Sequence, residues 1–177
     1  MKKKITIVII VCFFIIIYII RVLNLNNNAF HVKKEMYEMG EICSFNDFQY
    51  KILDCEVMDE VTLKNRYDVE YKEEIPVAVD YIVTTMEITY IGEKETADAN
   101  RVFYQVSGAW TNGGNTKLKE LINKDGFEVK RGQTKVIRTV TNIVEPQLSK
   151  KEWKDRYNRK YEIYLSTLPK EVVLKCY

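Results

Sequence analysis

Histidine, the commonest general base and metal ligand, occurs once in this chain of 177 residues, as His31. It lies in a polar stretch ahead of the first strand-like segment. A Ser-His-Asp or Cys-His nucleophile inside the folded domain is therefore excluded, as is a histidine-ligated zinc or iron site. Neither G-x-x-x-x-G-K nor G-x-G-x-x-G occurs, so no backbone cradle for nucleotide phosphates is expected. We predict no catalytic residue, no metal ligand and no cofactor.

Carboxylates occur in close pairs, for example Asp54 with Glu56 and Glu73 with Glu74. A glycosidase needs two carboxyl groups on opposite sides of a cleft, one of them with a raised pKa. Clustered exposed acids do not indicate that arrangement. The segment "DEVTLKNRYD" also lacks the spacing of a calcium-binding loop. The sequence therefore predicts a protein that is not an enzyme.

Three cysteines lie outside the apolar N-terminal segment: Cys43, Cys55 and Cys176. Three thiols cannot all pair within one chain, so either one disulfide forms and one thiol is spare, or all three stay reduced. No C-x-x-C spacing occurs, which excludes a zinc ribbon and a thioredoxin motif. Because Cys55 and Cys176 both occupy strand-like runs, we predict that these two approach each other as a disulfide.

Charge is unevenly spread along the chain. Without the four basic residues of the N-terminal segment, 23 of the 27 basic residues remain against 25 acidic ones. This near-neutral balance predicts no nucleic-acid partner. Residues 54–74 carry eight acidic and three basic side chains, whereas residues 150–160 carry six basic and two acidic ones. The two stretches are either solvated surfaces or opposite patches, one of which meets a partner.

Aromatic residues beside the basic stretch are the remaining binding candidates, because Tyr and Trp present a large area at a low entropy cost. Each of them could instead fill the core. Trp110 and Tyr104 share the parity of one alternating run, and we predict that both pack in the core. The predicted ligand or partner surface consists of Trp153, Tyr157, Tyr161, Lys150, Lys151 and Lys154.

The helix that presents this surface has two boundary signals. In "LSKKEWKDRYN", Ser149 is followed three residues later by Glu152, which is the spacing of a capping box. Leu148 and Trp153 occupy the two positions of a hydrophobic staple. The sequence therefore predicts one short helix that begins after Ser149.

Most of the remaining domain has the two-residue period of β-strands. In "FQYKILDCEVM" the apolar period shifts by one residue after Ile52, which is typical of a β-bulge. About eight short runs, punctuated by turn residues, predict an all-β, immunoglobulin-like β-sandwich. The clearest run is "VDYIVTTMEITYI", a half-buried strand that places on one face Ile82, Met86, Ile88 and Tyr90.

The N-terminal segment "MKKKITIVIIVCFFIIIYIIRVL" is typical of a membrane anchor. Residues 5–23 approach the ~20 residues that cross a ~30 Å hydrocarbon core, with the stem of Arg21 along the apolar layer. A cleaved signal would need small residues where "RVLNLNNNAF" has large ones. A lipoprotein would need the apolar run to end at Cys12, but "FFIIIYII" follows. We predict an uncleaved anchor whose three lysines keep the N-terminus in the cytoplasm.

The predicted order is a cytoplasmic basic start at 1–4, a transmembrane signal anchor at 5–23, a stalk at 24–38 and an extracytoplasmic β-sandwich domain at 39–177. The last segment has 139 residues, enough for one domain that buries a core without disulfides. The expected location is the cell membrane, crossed once, with the C-terminal domain outside.

Three stretches, "YIVTTMEITYIGE", "VKRGQTKVIRTV" and "KYEIYLSTLPKEVVLKCY", follow one another in a familiar order. This order resembles that of telokin-like, immunoglobulin-like extracytoplasmic domains in uncharacterised Gram-positive membrane-anchored proteins and lipoproteins. The resemblance covers about residues 40–177 and implies the fold and the location, but no catalytic residue. Two features depart from it. Cys12 does not support lipidation, and Tyr90, Ile91 and Gly92 stand where an Asn commonly closes the central strand.

Three functions follow as hypotheses. The first is a membrane-anchored extracytoplasmic, non-enzymatic binding or interaction module that holds a peptide, glycan or protein at the cell surface. The second is an immunity-type surface protein that sequesters a toxic peptide. The third is a structural accessory subunit of a membrane complex. Neighbouring genes would identify the second, and a stoichiometric partner that co-purifies would identify the third.

Overall fold

The computed structural model describes residues 13–24, 32–71, 76–101 and 103–177. These residues belong to two units, of which the second comprises Lys33–Tyr177. The first unit contains one described helix, α1, over residues 13–24.

Helix α1 carries the second half of the apolar N-terminal segment. Among the described residues, no helix is both long enough and apolar enough to cross a membrane. The predicted basic start at 1–4 and residues 5–12 of the predicted anchor at 5–23 lie outside the described residues, as do Cys12 and His31. The anchor, its orientation and its alternatives therefore stay predictions.

The described part of the second unit has eleven β-strands, three α-helices and two 3₁₀ turns. The helices are α2 (Glu60–Tyr67), α3 (Thr116–Ile122) and α4 (Lys150–Lys154), and the 3₁₀ turns are η1 (Glu145–Gln147) and η2 (Arg156–Asn158). The strands are β1 (Lys33–Tyr37), β2 (Cys43–Phe45), β3 (Phe48–Asp59), β4 (Val79–Tyr90), β5 (Thr96–Asp98), β6 (Tyr104–Ser107), β7 (Trp110–Gly113), β8 (Glu128–Lys130), β9 (Thr134–Val144), β10 (Glu162–Ser166) and β11 (Lys170–Lys175).

The predicted count of about eight strands and one short helix was too low. Strands β5 and β8 have three residues each and β7 has four, which is too short to show a two-residue period in the sequence. Strand β2 lies in "EICSF", which the sequence predicts as a short first strand. Helix α2 lies in the acidic stretch at 59–76, which lacks a clean period and which the sequence predicts to be a long, partly helical excursion. The late helix α4 is where the sequence predicted it.

Two sheets pack face to face. One has the strand order β1-β11-β10-β6-β7, the other β2-β3-β4-β9, and β5 pairs separately with β8. Strand β1 runs parallel to β11, and the remaining pairs are antiparallel. Buried side chains from both sheets form one cluster, which includes Tyr50, Ile88 and Ile137 from one sheet and Ile163 and Leu174 from the other. The prediction of a β-sandwich is confirmed.

The central strand β4 is buried on both faces over its first half. Its inner face packs in the core cluster as predicted. On its outer face, Tyr81 and Val83 belong to a second buried cluster with Leu63 of α2 and Leu118 of α3. The sequence predicted a half-buried strand, and the two helices account for the difference because they cover the outer side.

A β-bulge lies in β3 at the predicted position. The pairing between β3 and β4 shifts register between Ile52 and Asp54, and the extra residue, Leu53, is exposed. The bulge returns Cys55 and Val57 to the core side of the strand, where both pack against the core cluster.

The predicted stalk contains a strand. Residues 33–37 form β1, which pairs in parallel with β11 at the edge of the five-stranded sheet. The sandwich therefore begins at Lys33, six residues before the predicted boundary at 39. Polar edge strands such as "KKEMY" have too little apolar alternation to be recognised from the sequence.

The prediction that Trp110 and Tyr104 both fill the core is half wrong. Trp110 is buried, whereas Tyr104 is 55% exposed. A tight turn separates them, and Gly108, with φ +60°, occupies its first central position. Ser107 pairs with Trp110 across this hairpin, so Tyr104 faces the opposite side of the sheet.

Candidate binding surface

Helix α4 begins at the predicted capping box. The Ser149 hydroxyl accepts a hydrogen bond from the Glu152 backbone N–H at 3.3 Å, and the Glu152 carboxylate accepts one from the Ser149 N–H at 3.0 Å. These two bonds satisfy backbone donors that the helix itself leaves free. Leu148 and Trp153 both pack against the core cluster, which fixes the helix on the sandwich.

Arg156 lies between two aromatic rings just after this helix. Its guanidinium carbon is 4.0 Å from the centroid of the Trp153 ring and 4.4 Å from that of the Tyr157 ring. Its Nε donates to Oδ2 of Asp80 at 2.5 Å, and one Nη donates to the Trp153 carbonyl at 2.7 Å. Asp80 is buried on β4. We call these four residues the Arg156 stack, and their mutual contacts hold α4 and η2 rigidly on the sheet.

Three lysines project from α4 into solvent. Lys150, Lys151 and Lys154 are exposed, and the ion pairs formed among the described residues include none of them. The carboxylate of the same helix, Glu152, pairs instead with Arg159 at 2.9 Å, and this bond holds the pKa of Glu152 at about 2. We call the three lysines together with the exposed Tyr157 the lysine surface.

Tyr161 does not belong to this surface, which corrects the prediction made from the sequence. It is 4% exposed, and its ring packs edge-to-face on Trp110 with the centroids 6.0 Å apart. Its hydroxyl donates to the Arg156 carbonyl at 2.9 Å, and burial raises the pKa of this tyrosine to about 12. Tyr161 therefore supports the main chain of the Arg156 stack from inside the core.

Sequence reasoning missed Arg156 and Asp80 as a pair. One signal was present, since Asp80 is the single carboxylate in the apolar run "VAVDYIVTTM". A carboxylate in such a run is buried only when a cation or several hydrogen bonds compensate it. The sequence does not show which cation does so, because Arg156 lies 76 residues further along the chain.

The acidic stretch borders a groove of about 730 Å³ that is lined by both signs of charge. Arg66 donates to Glu56 at 2.5 Å, and this bond lowers the pKa of Glu56. Burial, followed by the hydrogen bond with Glu56, raises the pKa of Asp54. Asp54 and Glu56 are neighbours on one strand and do not face each other across a cleft, so they lack the arrangement of a glycosidase. Within the described ranges, no group of three or more His, Cys, Asp or Glu side chains could hold a metal ion.

Two cysteines lie together in the core beside Gln105. The Gln105 amide donates to Sγ of Cys55 at 3.8 Å and to Sγ of Cys176 at 3.6 Å. A hydrogen bond from Cys176, together with one from Thr84, lowers the pKa of Cys55, and the same thiol contact raises that of Cys176. Cys43 lies elsewhere, and burial raises its pKa to about 11. The described cysteines are free thiols, and the Cys55–Cys176 disulfide stays a prediction.

Comparison with known proteins identifies the fold. Neither a protein-family model nor a curated protein matches the sequence. An uncharacterised β-sandwich protein from Clostridium difficile 630 is 12% identical, with a TM-score of 0.52 over 83% of this chain and 97% of that one. MPT63, a secreted protein from Mycobacterium tuberculosis, is 10% identical, with a TM-score of 0.51 over 82% of this chain and 99% of that one. At these identities the likeness shows a β-sandwich fold alone.

Proposed function

We propose that this chain is a membrane-anchored extracytoplasmic binding module without enzymatic activity, and that its lysine surface binds an anionic partner at the cell surface. One observation carries the proposal. Three exposed lysines on α4 have no carboxylate partner among the described residues, and the exposed Tyr157 follows them three residues after Lys154. Cations in this state attract a peptide, glycan or protein that presents negative charge.

Rigidity of the supporting segment favours binding. The capping box fixes the start of α4, and the Arg156 stack fixes its end on the sandwich. A surface that is ordered before binding loses less conformational entropy when the partner arrives. Tyr157 is 49% exposed, so its ring offers contact area beside the lysines.

The proposed location follows from the sequence and from one structural neighbour. The apolar segment at 5–23 would hold the chain in the membrane, and the lysines before it would keep the N-terminus in the cytoplasm. MPT63, whose fold is similar, is a secreted protein. We also propose that the β-sandwich domain is of the immunoglobulin-like, telokin-like kind. Membrane fractionation tests the anchor: the full chain should sediment with membranes at its full mass, and a soluble, shortened chain would contradict anchoring.

Binding of anionic polymers tests the lysine surface. We expect the full-length chain to bind a fluorescent polyglutamate peptide or a polygalacturonate glycan, and the stronger of the two identifies the partner class. Charge reversal of Lys150, Lys151 and Lys154 to Glu should weaken binding about tenfold or more, measured by fluorescence anisotropy at about 0.15 M salt.

A matched control carries the same change in net charge at other exposed lysines, namely Lys94, Lys117 and Lys130. We expect the control variant to retain nearly all of the affinity. Equal losses in both variants would show attraction to overall charge and would overturn the assignment of this surface. A stoichiometric protein that co-purifies with both variants would instead indicate an accessory subunit.

A further inference from the structure

A small cavity of about 90 Å³ lies away from the lysine surface, between helix α3 and strands β6 and β9. The residues that line it include Arg101, Phe103, Gln105, Thr116, Lys119, Thr139 and Thr141. None of the described residues that line it carries a carboxylate. The cavity thus has donors of hydrogen bonds and positive charge, with no negative charge of its own.

Lys119 is buried without an ion pair in the described part of the chain. It is 5% exposed, and its Nζ donates to the Arg101 carbonyl at 2.7 Å. The rings of Phe103 and Phe127 lie 5.7 and 5.1 Å from the same nitrogen. Burial lowers the pKa of Lys119 to about 8, and Asp98 and Glu120 partly offset this from a longer range. A carbonyl and two rings compensate a buried ammonium less fully than an anion in contact with it does.

Polar side chains replace apolar ones where the core meets this cavity. On the inner face of β9, Thr139 and Thr141 stand between Ile137 and Ile143, both of which are core residues. Gln105 faces inward from β6 and is 2% exposed. The Gln105 amide already donates to the sulfurs of Cys55 and Cys176. Buried hydroxyl groups such as those of the two threonines are costly unless they are hydrogen-bonded. Their position at the cavity wall is consistent with a ligand that accepts hydrogen bonds.

We infer that this cavity binds a small carboxylate anion of the size of formate or acetate, which pairs with the Lys119 ammonium and accepts hydrogen bonds from the hydroxyls of Thr139 and Thr141. The volume equals that of about three waters, which a few heavy atoms fill. A single negative charge matches the single buried ammonium, whereas a dianion would leave one charge uncompensated. The methyl group of acetate would contact the Phe103 ring. The site is separate from the lysine surface, and neither depends on the other.

Titration with sodium acetate and sodium formate tests the site in the full-length chain. At constant ionic strength, we expect either anion to raise the thermal unfolding temperature in a saturable way, with a dissociation constant in the millimolar range or below. Acetamide, a neutral molecule of the same shape, should have no such effect. No response to either anion, or an equal response to acetamide, would overturn the inference.

Two variants separate binding from a structural role of the lysine. Lys119→Met should weaken acetate binding about tenfold or more, because it removes a charge-assisted hydrogen bond. Thr141→Val, a change of similar volume, should weaken binding less, and this keeps the inference testable if Lys119→Met fails to fold. Lys117→Met changes an exposed lysine on the same helix and should bind acetate like the unchanged protein. Full acetate binding by Lys119→Met would contradict the site.

The pH dependence provides a readout that a structural role does not predict. The ammonium form is the one that pairs with acetate, so affinity should fall as the pH rises through about 8. The other charged groups near the ammonium are Arg101, Asp98 and Glu120. Isothermal titration calorimetry at pH 7 and at pH 9 measures the change. An affinity that is constant over this range would contradict a role for the Lys119 charge.

Discussion

Helices α2 and α4 lie in the two charged stretches of the sequence, and their charges are neutralised differently. On α4, three exposed lysines have no carboxylate partner among the described residues, and the half-buried Arg156 that follows the helix is committed to Asp80. Around α2, each of several acids has a cation beside it. The pairs are Glu56 with Arg66 at 2.5 Å, Glu60 with Lys64 at 2.5 Å and Asp68 with Lys124 at 3.4 Å.

From this difference we expect that pairing, and not the count of charges, decides which stretch is free to meet a partner. Exposed pairs contribute about 0–1 kcal/mol each, so those around α2 add little stability, but each of them offsets one negative charge of the acidic stretch. Unpaired ammonium groups attract anions over a Debye length, about 8 Å at physiological ionic strength. We therefore expect a partner of opposite charge at the lysine surface and not at the acidic stretch.

Breaking the ion pair between Arg156 and Asp80 should have the largest effect on stability. Arg156→Gln leaves the Asp80 carboxylate, whose side chain is 7% exposed, without its cation. We expect a loss of about 3 kcal/mol in the free energy of unfolding, because an uncompensated buried charge is strongly unfavourable. Urea unfolding followed by tryptophan fluorescence measures it, since Trp153 reports on the stack directly.

A double variant is the control for this prediction. Arg156→Met combined with Asp80→Asn removes both charges, and we expect it to recover a substantial part of the lost stability. If Arg156→Gln unfolded at the urea concentration of the unchanged protein, the Arg156 stack would not be what holds α4 in place.

Local signals made about half of the fold predictable. Three of these signals each depend on residues close together in the sequence: the shift of period after Ile52, the alternation in β4 and the capping box at Ser149. The structure contains all three features. Burial of the outer face of β4 depends on helices α2 and α3, which lie far from it in sequence. Pairing of β1 with β11 joins the two ends of the domain, and no local pattern encodes such a contact.

The candidate surface was predictable in part for the same reason. Lysines on a short helix are exposed by default, so their position followed from the helix alone. Tyr161 was misplaced because it follows η2 and turns inward ahead of β10, which only the tertiary fold determines. Lys119 was missed altogether, since a lysine in a polar helix gives no sign that it is 5% exposed.

Removal of the helix cap should have an intermediate effect, and it tests how firmly the lysine surface is positioned. Ser149→Ala should lower the free energy of unfolding by about 1 kcal/mol through the lost hydrogen bond to the Glu152 N–H. Ser149→Asp retains an acceptor at the cap and should restore most of the stability. An unchanged unfolding temperature in Ser149→Ala, measured by calorimetry, would mean that α4 is held by the Arg156 stack alone.

Breaking an exposed pair at α2 should have the smallest effect. Arg66→Gln removes the cation that lowers the pKa of Glu56, so we expect a decrease in the urea midpoint at pH 7 that is smaller than that of Ser149→Ala. A carboxyl group with a lowered pKa stabilises the fold above its unfolded value of about 4.3, and this contribution is lost as the pH falls through the folded value. The difference between the variant and the unchanged protein should therefore shrink as the pH falls below about 4.3, and it should disappear once Glu56 is protonated in the folded protein.

Lys124→Gln is the matched control for this last variant, because the side chain of its partner Asp68 is 99% exposed. Solvent screens a pair of that kind almost fully, so we expect no measurable change in the midpoint at either pH. Were Arg66→Gln to destabilise the protein as much as Arg156→Gln, the pairs around α2 would be structural in the same sense as the Arg156 stack. The contrast between a partly paired acidic stretch and the lysine surface would then rest on the exposed lysines alone.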